Sequence, residues 1–392
     1  YTGGSSKFSS GANYTLTDAN GMTFTLRIDS RIKSIIDQPF PGTAVNVTGV
    51  LSQYMRDRPR EGGYQLMPTR IEDISGPKLP TIEFTLKYEN LIRPGRPLES
   101  SRTDHFLLYG ETATIEAVVK SPSGSEITVT PTGDWVLSAN PASDVTARLV
   151  LTAGEEDLGV SFDVSLEVEN SEGVQTLAWD VYVPSEAEQQ VAITEFLANP
   201  TGKTTAGHYN PLHRETPSDS NVLSVEDEFV EIANLGQADV DMAGWSLSDA
   251  VALRSNFYEG DVLAKRGAVI VYGGRLSGSE PVLDEGILAL PATESTSGLG
   301  LNNSGDTITL RNADGHVIDR IKFSKPSSKG SMTRHSGLNG AFADHSTVAD
   351  AAVSAGTWPS GAPFTEDPTV EIPEIKITVS LADGEIHLSW GA

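Results

Sequence analysis

The chain has 392 residues, with 53 acidic and 28 basic side chains and a formal net charge of −25. It contains no cysteine, which excludes disulfides, thiol nucleophiles and cysteine-ligated zinc. Such an acidic balance disfavours a protein that coats a polyanion along its whole length. No apolar run reaches the roughly 18 residues that a membrane-spanning helix needs. The length favours roughly two to four domains.

The pattern of short strands and turns predicts an all-β chain. Glycine (37 residues) and proline (22 residues) separate short alternating runs rich in Val, Thr, Ile and Leu. Regularly spaced turns between such runs are typical of β-sandwiches and barrels. We therefore predict a multi-domain all-β protein built from an OB-like barrel and immunoglobulin-like sandwiches.

Charge and breaker residues predict where the modules divide. Residues 1–78 carry nine basic and seven acidic side chains (+2), residues 79–185 carry six and seventeen (−11), and residues 369–392 carry one and four (−3). Turn-rich or polar breaks occur near residues 78, 185 and 358–373. The predicted division is 1–78, 79–185, 186–345, a Pro/Gly-rich linker at 346–373, and a β-hairpin or truncated further β-domain at 374–392.

The first module begins with a hairpin around the Asn20-Gly21 turn. The segments 41–54 and 63–68 resemble those of small OB-like barrels in secreted bacterial proteins, over about residues 12–76. An OB barrel has about five strands, whereas this module shows about four strand-like runs, and Gly/Ser-rich sequence occupies the place of the first strand. The barrel is therefore expected to be open, or completed by a strand from elsewhere.

The second module reads as an immunoglobulin-like sandwich. Six alternating runs lie within about a hundred residues, which fits six or seven short strands. Trp179 alternates with Leu177 and Val181, so it is predicted to point into the core of this sandwich.

The third module carries the sharpest resemblance. The runs that carry it are 191–200, 228–236, 240–249, 267–272, 298–306, 307–311 and 317–323. Their order resembles a lamin-tail domain over about residues 190–336. The resemblance implies an immunoglobulin-like sandwich that serves as a binding or structural module, with no catalytic residues to carry over. Within it, the run Glu228–Ile232 predicts a strand with one buried face.

No motif for catalysis or a defined metal site is present. His208 and His213 stand in a polar insert, residues 201–226, near Glu215, Asp219, Glu226 and Asp227, a set that could recruit a divalent ion. We favour the simpler interpretation, a solvated polar loop. His335 and His345 flank a Gly-rich segment and could pair, while His105, His316 and His387 are expected at the surface or half-buried. Acidic loops at 155–157, 226–228 and 239–241 offer oxygen ligands for calcium without EF-hand spacing. We predict no cofactor, no resident metal and no enzymatic activity.

One basic cluster stands out in the first module. It consists of Arg56, Arg58 and Arg60, with Tyr54 and Tyr64 beside it. Arginines and aromatic rings on an OB-like barrel could bind single-stranded nucleic acid or an acidic polysaccharide. The interpretation we favour is an exposed loop whose charge is partly cancelled by Asp57 and Glu61.

The C-terminal segment predicts a hairpin with an apolar pattern. Its subunit-contact candidates are Ile375, Ile377, Val379, Ile386, Leu388 and Trp390. A lone hairpin is marginal in water, so it must pack on its own chain, on residues beyond it, or on a neighbour.

Three functional hypotheses follow. The leading one is a non-catalytic extracellular or cell-surface protein that self-associates head to tail by β-strand addition, with other surface or matrix components as further partners. The second is an accessory region of a larger secreted nuclease or phosphoesterase. The third is binding of DNA or an acidic glycan through the basic cluster. Tyr1 in place of Met, and the lack of a signal peptide, predict a processed piece of an exported protein.

Overall fold

A computed structural model describes residues 7–18, 20–40, 45–54, 62–96, 102–121, 126–139, 144–203, 208–212, 223–274, 283–294, 299–327, 330–335 and 337–366, and the backbone of 377–382 and 385–390. The regular elements in this part are β-strands and five short 3₁₀ turns, with no α-helix, which confirms the all-β prediction. No helix in the described residues could cross a membrane.

The chain forms two compact units. The first takes Tyr1–Phe84, Glu116–Arg148 and Ser165–Leu177, and the second takes Thr85–Ile115, Leu149–Val164 and Ala178–Ala392. The division falls within five strands of the second module, not at a linker. The predicted limits at 78/79 and 185/186 both lie inside a unit.

The first module is built on a small sheet. Its strands are β1 (Asn13–Thr17), β2 (Thr23–Arg27), β3 (Asn46–Val47), β4 (Val50–Gln53), β5 (Tyr64–Met67) and β6 (Ile74–Ser75). Four of them form a sheet in the order β1-β2-β5-β4, in which β2 and β5 are parallel, and β3 pairs with β6. Its core contains Phe8, Tyr14, Leu26, Ile28, Ile35 and Ile74.

The second module has two four-stranded sheets. Its strands are β7 (Thr81–Glu89), β8 (Asp104–Phe106), β9 (Thr112–Lys120), β10 (Thr128–Thr132), β11 (Val136–Ala139), β12 (Asp144–Thr152), β13 (Val160–Asn170) and β14 (Gly173–Val183). The sheet orders are β10-β13-β14-β8 and β11-β12-β9-β7. Trp179 on β14 is buried, as its alternation predicts.

The third module is a larger sandwich. Its strands are β15 (Val191–Leu197), β16 (Phe229–Asn234), β17 (Val240–Asp241), β18 (Ser246–Ser248), β19 (Leu253–Asn256), β20 (Val262–Leu263), β21 (Gly267–Tyr272), β22 (Ile287–Pro291), β23 (Asp306–Arg311), β24 (Val317–Phe323), β25 (Met332–Arg334) and β26 (Phe342–Asp344). A six-stranded sheet, β22-β21-β16-β15-β25-β26, and a four-stranded sheet, β19-β18-β23-β24, contribute many residues of its main core, and loops and the short β17–β20 pair contribute others.

The central strands of the six-stranded sheet, β15, β16 and β21, are buried on both faces. Val230 and Ile232 face the main core, whereas Phe229 and Ala233, on the opposite face of the same strand, join two further apolar clusters. Glu231 is also buried. The prediction of one buried face for this strand is therefore wrong, because a later segment covers the second face.

That cover comes from the predicted linker. Trp358 and Phe364 are buried against Ala192, Ala233 and Ala268 of the sheet, and their rings meet edge to face at 4.9 Å. The described part of the segment, 346–366, is thus a structural layer and not a spacer. Its Gly and Pro content reflects irregular turns that follow the sheet surface closely.

One glycine shows how closely the cover approaches. A Cβ atom at Gly330 would stand 2.1 Å from the carbonyl oxygen of Ala352. The next residue, Ser331, donates its backbone N–H to that same oxygen at 3.0 Å. Only glycine therefore fits at position 330 without displacing the covering segment.

The chain ends in a separate hairpin. Its strands are β27 (Ile377–Ala382) and β28 (Glu385–Trp390), which run antiparallel. Within the described residues these two strands pair only with each other.

Candidate functional site

The core-facing side of the first sheet is covered at one edge and exposed at the other. Tyr14 on β1 pairs with Leu26 on β2, Leu26 with Leu66 on β5, and Leu66 with Leu51 on β4, so the four residues share one face. Tyr14 and Leu26 are buried, Leu66 is half-buried, and Leu51 is 61% exposed. The core therefore ends before it reaches β4.

Strand β4 is apolar and exposed on both faces. Val50 is 59% exposed on the face opposite Leu51, and β4 is the last strand of its sheet in the described chain. The strand sequence Val-Leu-Ser-Gln contains no charge and no proline. Proteins usually protect such edges with charges, prolines or a covering element, so β4 is a candidate site for strand addition.

The proposed polyanion residues are only partly described. Tyr54 and Tyr64 are exposed and lie at the base of the loop, where the Tyr54 N–H donates to the Gly63 carbonyl at 2.9 Å and Tyr64 pairs with Gln53. Arg56, Arg58 and Arg60 lie outside the described residues.

The C-terminal hairpin has a register that groups its apolar residues. Ile377 pairs with Trp390, Val379 with Leu388, and Leu381 with Ile386. Residues paired in an antiparallel ladder lie on the same face, and so do residues two apart along a strand. All six therefore share one face, whereas Thr378, Ser380, His387 and Ser389 lie on the other. Ile375, the remaining residue of the predicted set, lies outside the described residues.

Asp227 and His208 make structural contacts in the described part of the polar insert. Asp227 is buried and accepts hydrogen bonds from the N–H groups of Tyr209 (2.8 Å), Asn210 (3.1 Å) and Ser224 (2.9 Å). His208 Nδ1 lies 2.9 Å from Asp227 Oδ2. His213, Glu215 and Asp219 lie outside the described residues. Asp227 is thus a structural anchor of this loop.

Glu228 performs a similar role for the Gly-rich segment 299–301. It accepts a hydrogen bond from the Gly300 N–H at 2.8 Å, and the N–H groups of Leu299 and Leu301 also favour its ionised form. Burial dominates, however, and raises the pKa of Glu228 to about 7.

The remaining acidic loops are likewise used in turns. Asp239 accepts from the Lys265 N–H at 2.8 Å, Asp241 from the Ala243 N–H at 2.9 Å, and Asp157 from the Gly154 N–H at 2.8 Å. Across the described residues no group of three or more His, Asp or Glu side chains is placed to hold a metal ion.

Two glutamates form a buried pair on the covered face of the large sheet. Glu195 on β15 stands directly opposite Glu231 on β16, and burial raises the pKa of both. For Glu231 the carboxylate of Glu195 is the second cause, and its pKa reaches about 8. Two buried carboxylates this close cannot both ionise cheaply, so the pair holds a proton at neutral pH. Their donors are Ser331 Oγ (2.6 Å), Ser354 N (2.9 Å) and Ser354 Oγ on Glu195, and Thr194 Oγ1 (2.6 Å) and Gly356 N (2.6 Å) on Glu231.

The buried glutamate pair makes the stability of the folded protein depend on pH. Between pH 4.5 and about 8, folded Glu231 holds a proton that the unfolded chain has lost, so its contribution to stability falls as pH rises through this window. We expect Glu231→Gln to reduce the slope of the free energy of unfolding against pH by up to about 1.4 kcal/mol per pH unit. Urea unfolding of both proteins from pH 5 to pH 8 measures the difference. An unchanged slope would contradict a protonated Glu231, and Glu259→Gln at an exposed position is the matched control.

A group of buried arginines joins residues 85–115 to the third module within the second compact unit. Arg93 donates to the carbonyls of Gln189 (2.8 Å) and Val191 (3.0 Å). Arg334 donates to the carbonyls of Ile193 (2.8 Å), Pro94 (3.2 Å) and Gly340 (2.9 Å).

Asp319 is the counter-ion of both arginines. Its Oδ2 accepts the Ile193 N–H at 2.9 Å and lies 3.4 Å from Arg334 Nη2 and 4.0 Å from Arg93 Nη1. Burial lowers the pKa of Arg93 to about 10, and Asp319 opposes that shift. The arginines and Asp319 therefore fix the two segments together.

Three further ion pairs lie at this junction, one within residues 85–115 and two between Asp104 and the third module. Arg96 Nη1 lies 2.8 Å from Glu111 Oε2, and its guanidinium stacks over the Phe106 ring at 3.7 Å. Asp104 accepts from Arg320 at 2.6 Å and from Arg311. Sequence patterns did not reveal the Asp104 contacts, since Arg311 and Arg320 lie 207 and 216 positions away along the chain.

The histidines have structural partners. His105 is buried, not at the surface or half-buried as predicted, and its Nδ1 lies 2.9 Å from the Tyr88 hydroxyl; burial lowers its pKa. His316 is half-buried and stacks on Tyr182 at 4.4 Å. His345 is buried with Nδ1 2.7 Å from the Ala351 carbonyl, and His335 also makes interactions of its own.

The geometry defines an all-β, multi-sheet protein with sandwich modules. Residues 184–325 match the family model described as Lamin Tail Domain, so this part of the chain is similar to lamin tail domains. The sandwich continues through β26, and its cover continues to residue 366. The search of curated proteins finds no match.

Among solved structures, the chain is similar to a chimeric titin Z1Z2 carrying an exogenous KLER peptide from decorin. The identity is 14%, the match covers 61% of this chain and 94% of that one, and the TM-score is 0.17.

Proposed function

We propose that this chain is a non-catalytic structural or adhesive protein of the cell exterior, whose copies assemble head to tail by β-strand addition. The observation that carries the proposal is the C-terminal hairpin, which gathers six apolar residues on one face and, in the described chain, joins no larger sheet. A two-stranded hairpin needs a further strand or surface for stability.

The exposed apolar edge at β4 supports the same proposal. It offers a place where a further strand would be stabilised, and strand addition at a sheet edge is a common mode of assembly. A head-to-tail contact gives a filament unless rotation closes it into a ring. The proposal includes the open OB-like barrel, which the sheet order β1-β2-β5-β4 with its parallel β2–β5 pair supports.

The non-catalytic part of the proposal is supported by how the buried acids are used. The carboxylates of Asp227, Glu228, Glu195 and Glu231 accept hydrogen bonds from the chain itself. The packing of loops and of the covering segment accounts for their hydrogen bonds and for the raised pKa values of Glu228, Glu195 and Glu231.

Light scattering coupled to size exclusion tests the assembly. We expect the intact chain to form particles larger than one copy as its concentration rises, and the chain ending at Pro368 to remain a monomer. Equal, monomeric profiles for the two would refute the proposal. Labelling of intact source cells with an antibody tests the external location.

A second candidate function is polyanion binding, which the exposed Tyr54 and Tyr64 beside the basic loop favour. We expect the triple variant Arg56→Ala, Arg58→Ala and Arg60→Ala to lose salt-sensitive retention on heparin, because each arginine releases counter-ions on binding. Arg70→Ala, an exposed arginine of the same module, is the matched control. Equal elution of the triple variant and the unchanged chain would exclude this role. The role as an accessory region of a larger secreted nuclease or phosphoesterase would be decided by the full coding sequence.

A further inference from the structure

We propose that the apolar face of the β27–β28 hairpin docks on the β4 edge of the first sheet in a second copy of this chain. This rests on the proposed assembly and names its two surfaces. The donor surface is Ile377, Val379, Leu381, Ile386, Leu388 and Trp390, and the acceptor surface is Leu51 of β4 together with Phe24 and Tyr64 on the same face of the sheet.

The acceptor is a core face that lacks its cover. Leu51 lies on the same face as Tyr14 and Leu26, which are buried in the module's own core. Phe24 and Tyr64, two residues from Leu26 and Leu66, share that face and are also exposed. Exposing this much apolar area costs about 25 cal/mol per Å² relative to burial, so an added apolar hairpin would be stabilised here.

The donor has the matching pattern. Its apolar face is three cross-strand pairs long, and β4 is four residues long. Addition of β28 along β4 would extend the sheet while placing the apolar pairs over the uncovered part of the core.

Charge distinguishes β4 from a further exposed edge strand of the first unit, β11. Strand β11 also ends its sheet, and Val136 on it is 65% exposed. The hairpin region, residues 369–392, carries −3, the module of β4 carries +2 and that of β11 carries −11. Like charge opposes the encounter at β11, whereas opposite charge favours it at β4.

The absence of cysteine allows a direct test with the whole chain. Two preparations, Leu51→Cys and Leu388→Cys, the second carrying a tag that changes its size, are mixed and oxidised with diamide. We expect a disulfide-linked heterodimer, identified by mass spectrometry as the peptide joining positions 51 and 388. We expect the yield of the 51–388 disulfide to be at least about tenfold above that of two cysteines at positions that do not dock, because docking raises the local thiol concentration.

Control variants give the background cross-linking yield and test the alternative docking edge. Val251→Cys, 87% exposed in the third module, replaces Leu51→Cys as the background. A yield equal to that background overturns the inference, and so does a higher yield with Val136→Cys. A double variant, Leu51→Cys with Leu388→Cys, that cross-links only within one chain overturns the second-copy assignment.

The experiments distinguish a wrong docking site from a wrong proposed function. If the intact chain assembles and the Pro368 truncation does not, but no 51–388 link forms, only the docking site is wrong. If the intact chain stays monomeric at all concentrations, the proposed assembly itself fails. Thermal melting of each cysteine variant verifies that it folds.

Discussion

Replacing Trp358 by alanine is expected to lower the free energy of unfolding of the second compact unit by about 3–5 kcal/mol. The indole is buried against Ala192, Ala233 and Ala268 and contacts the Phe364 ring. Its Nε1–H also donates to the Glu366 carbonyl at 3.0 Å. The loss therefore combines the apolar area, a cavity and an orphaned acceptor. Chemical denaturation, followed by the fluorescence of the remaining tryptophans, measures it.

Val251→Ala provides the matched comparison for that experiment. Val251 is exposed in the same unit, and such surface substitutions usually change stability by less than about 0.5 kcal/mol. If Trp358→Ala were as mild as this control, residues 346–366 would be the spacer that the proline and glycine content suggests.

The second large effect is expected from Asp319→Ala. This substitution leaves the guanidinium groups of Arg93 and Arg334 buried without their carboxylate. Removing one partner of a buried ion pair costs about 3–5 kcal/mol, because the remaining charge is uncompensated. The Ile193 N–H also loses its acceptor. Urea unfolding at pH 7 measures the change in the second unit.

A double variant separates charge from packing at this junction. Adding Arg334→Met to Asp319→Ala removes one of the stranded charges while keeping most of the volume. We expect the double variant to regain part of the stability that the single variant loses. A loss of less than about 1 kcal/mol for Asp319→Ala alone would contradict a role for the junction in stability.

The β-strands of the third module were largely predictable from local pattern. Alternation identified Phe229–Asn234 and Val317–Phe323, and the turn at Asn312–Gly315 joins two paired strands. These features depend on neighbours along the chain, so sequence alone carries them. The lamin-tail resemblance from the sequence agrees with the match over residues 184–325.

The second layer on the large sheet could not be predicted in this way. Whether Glu231 faces solvent or protein depends on a segment more than a hundred residues later, and the Gly/Pro composition of that segment suggested a spacer. Local alternation was informative about which residues share a face, but not about whether that face is covered. The sequence does contain one indication of this layer. Trp358 and Phe364 lie in the predicted linker, and large aromatic side chains such as these are usually buried.

The buried arginines were missed for the same reason. Arg93 and Arg334 are 241 positions apart, and both lie beside the carboxylate of Asp319. Charge patterning treats each as a surface residue, since Lys and Arg are rarely buried without a partner. Only the tertiary structure supplies that partner.

Electron microscopy of the purified chain tests the head-to-tail proposal most directly. At rising concentration we expect the intact chain to form filaments or closed rings with one copy as the repeat, and the chain ending at Pro368 to give isolated particles. Isolated particles from both chains at every concentration would contradict the proposal.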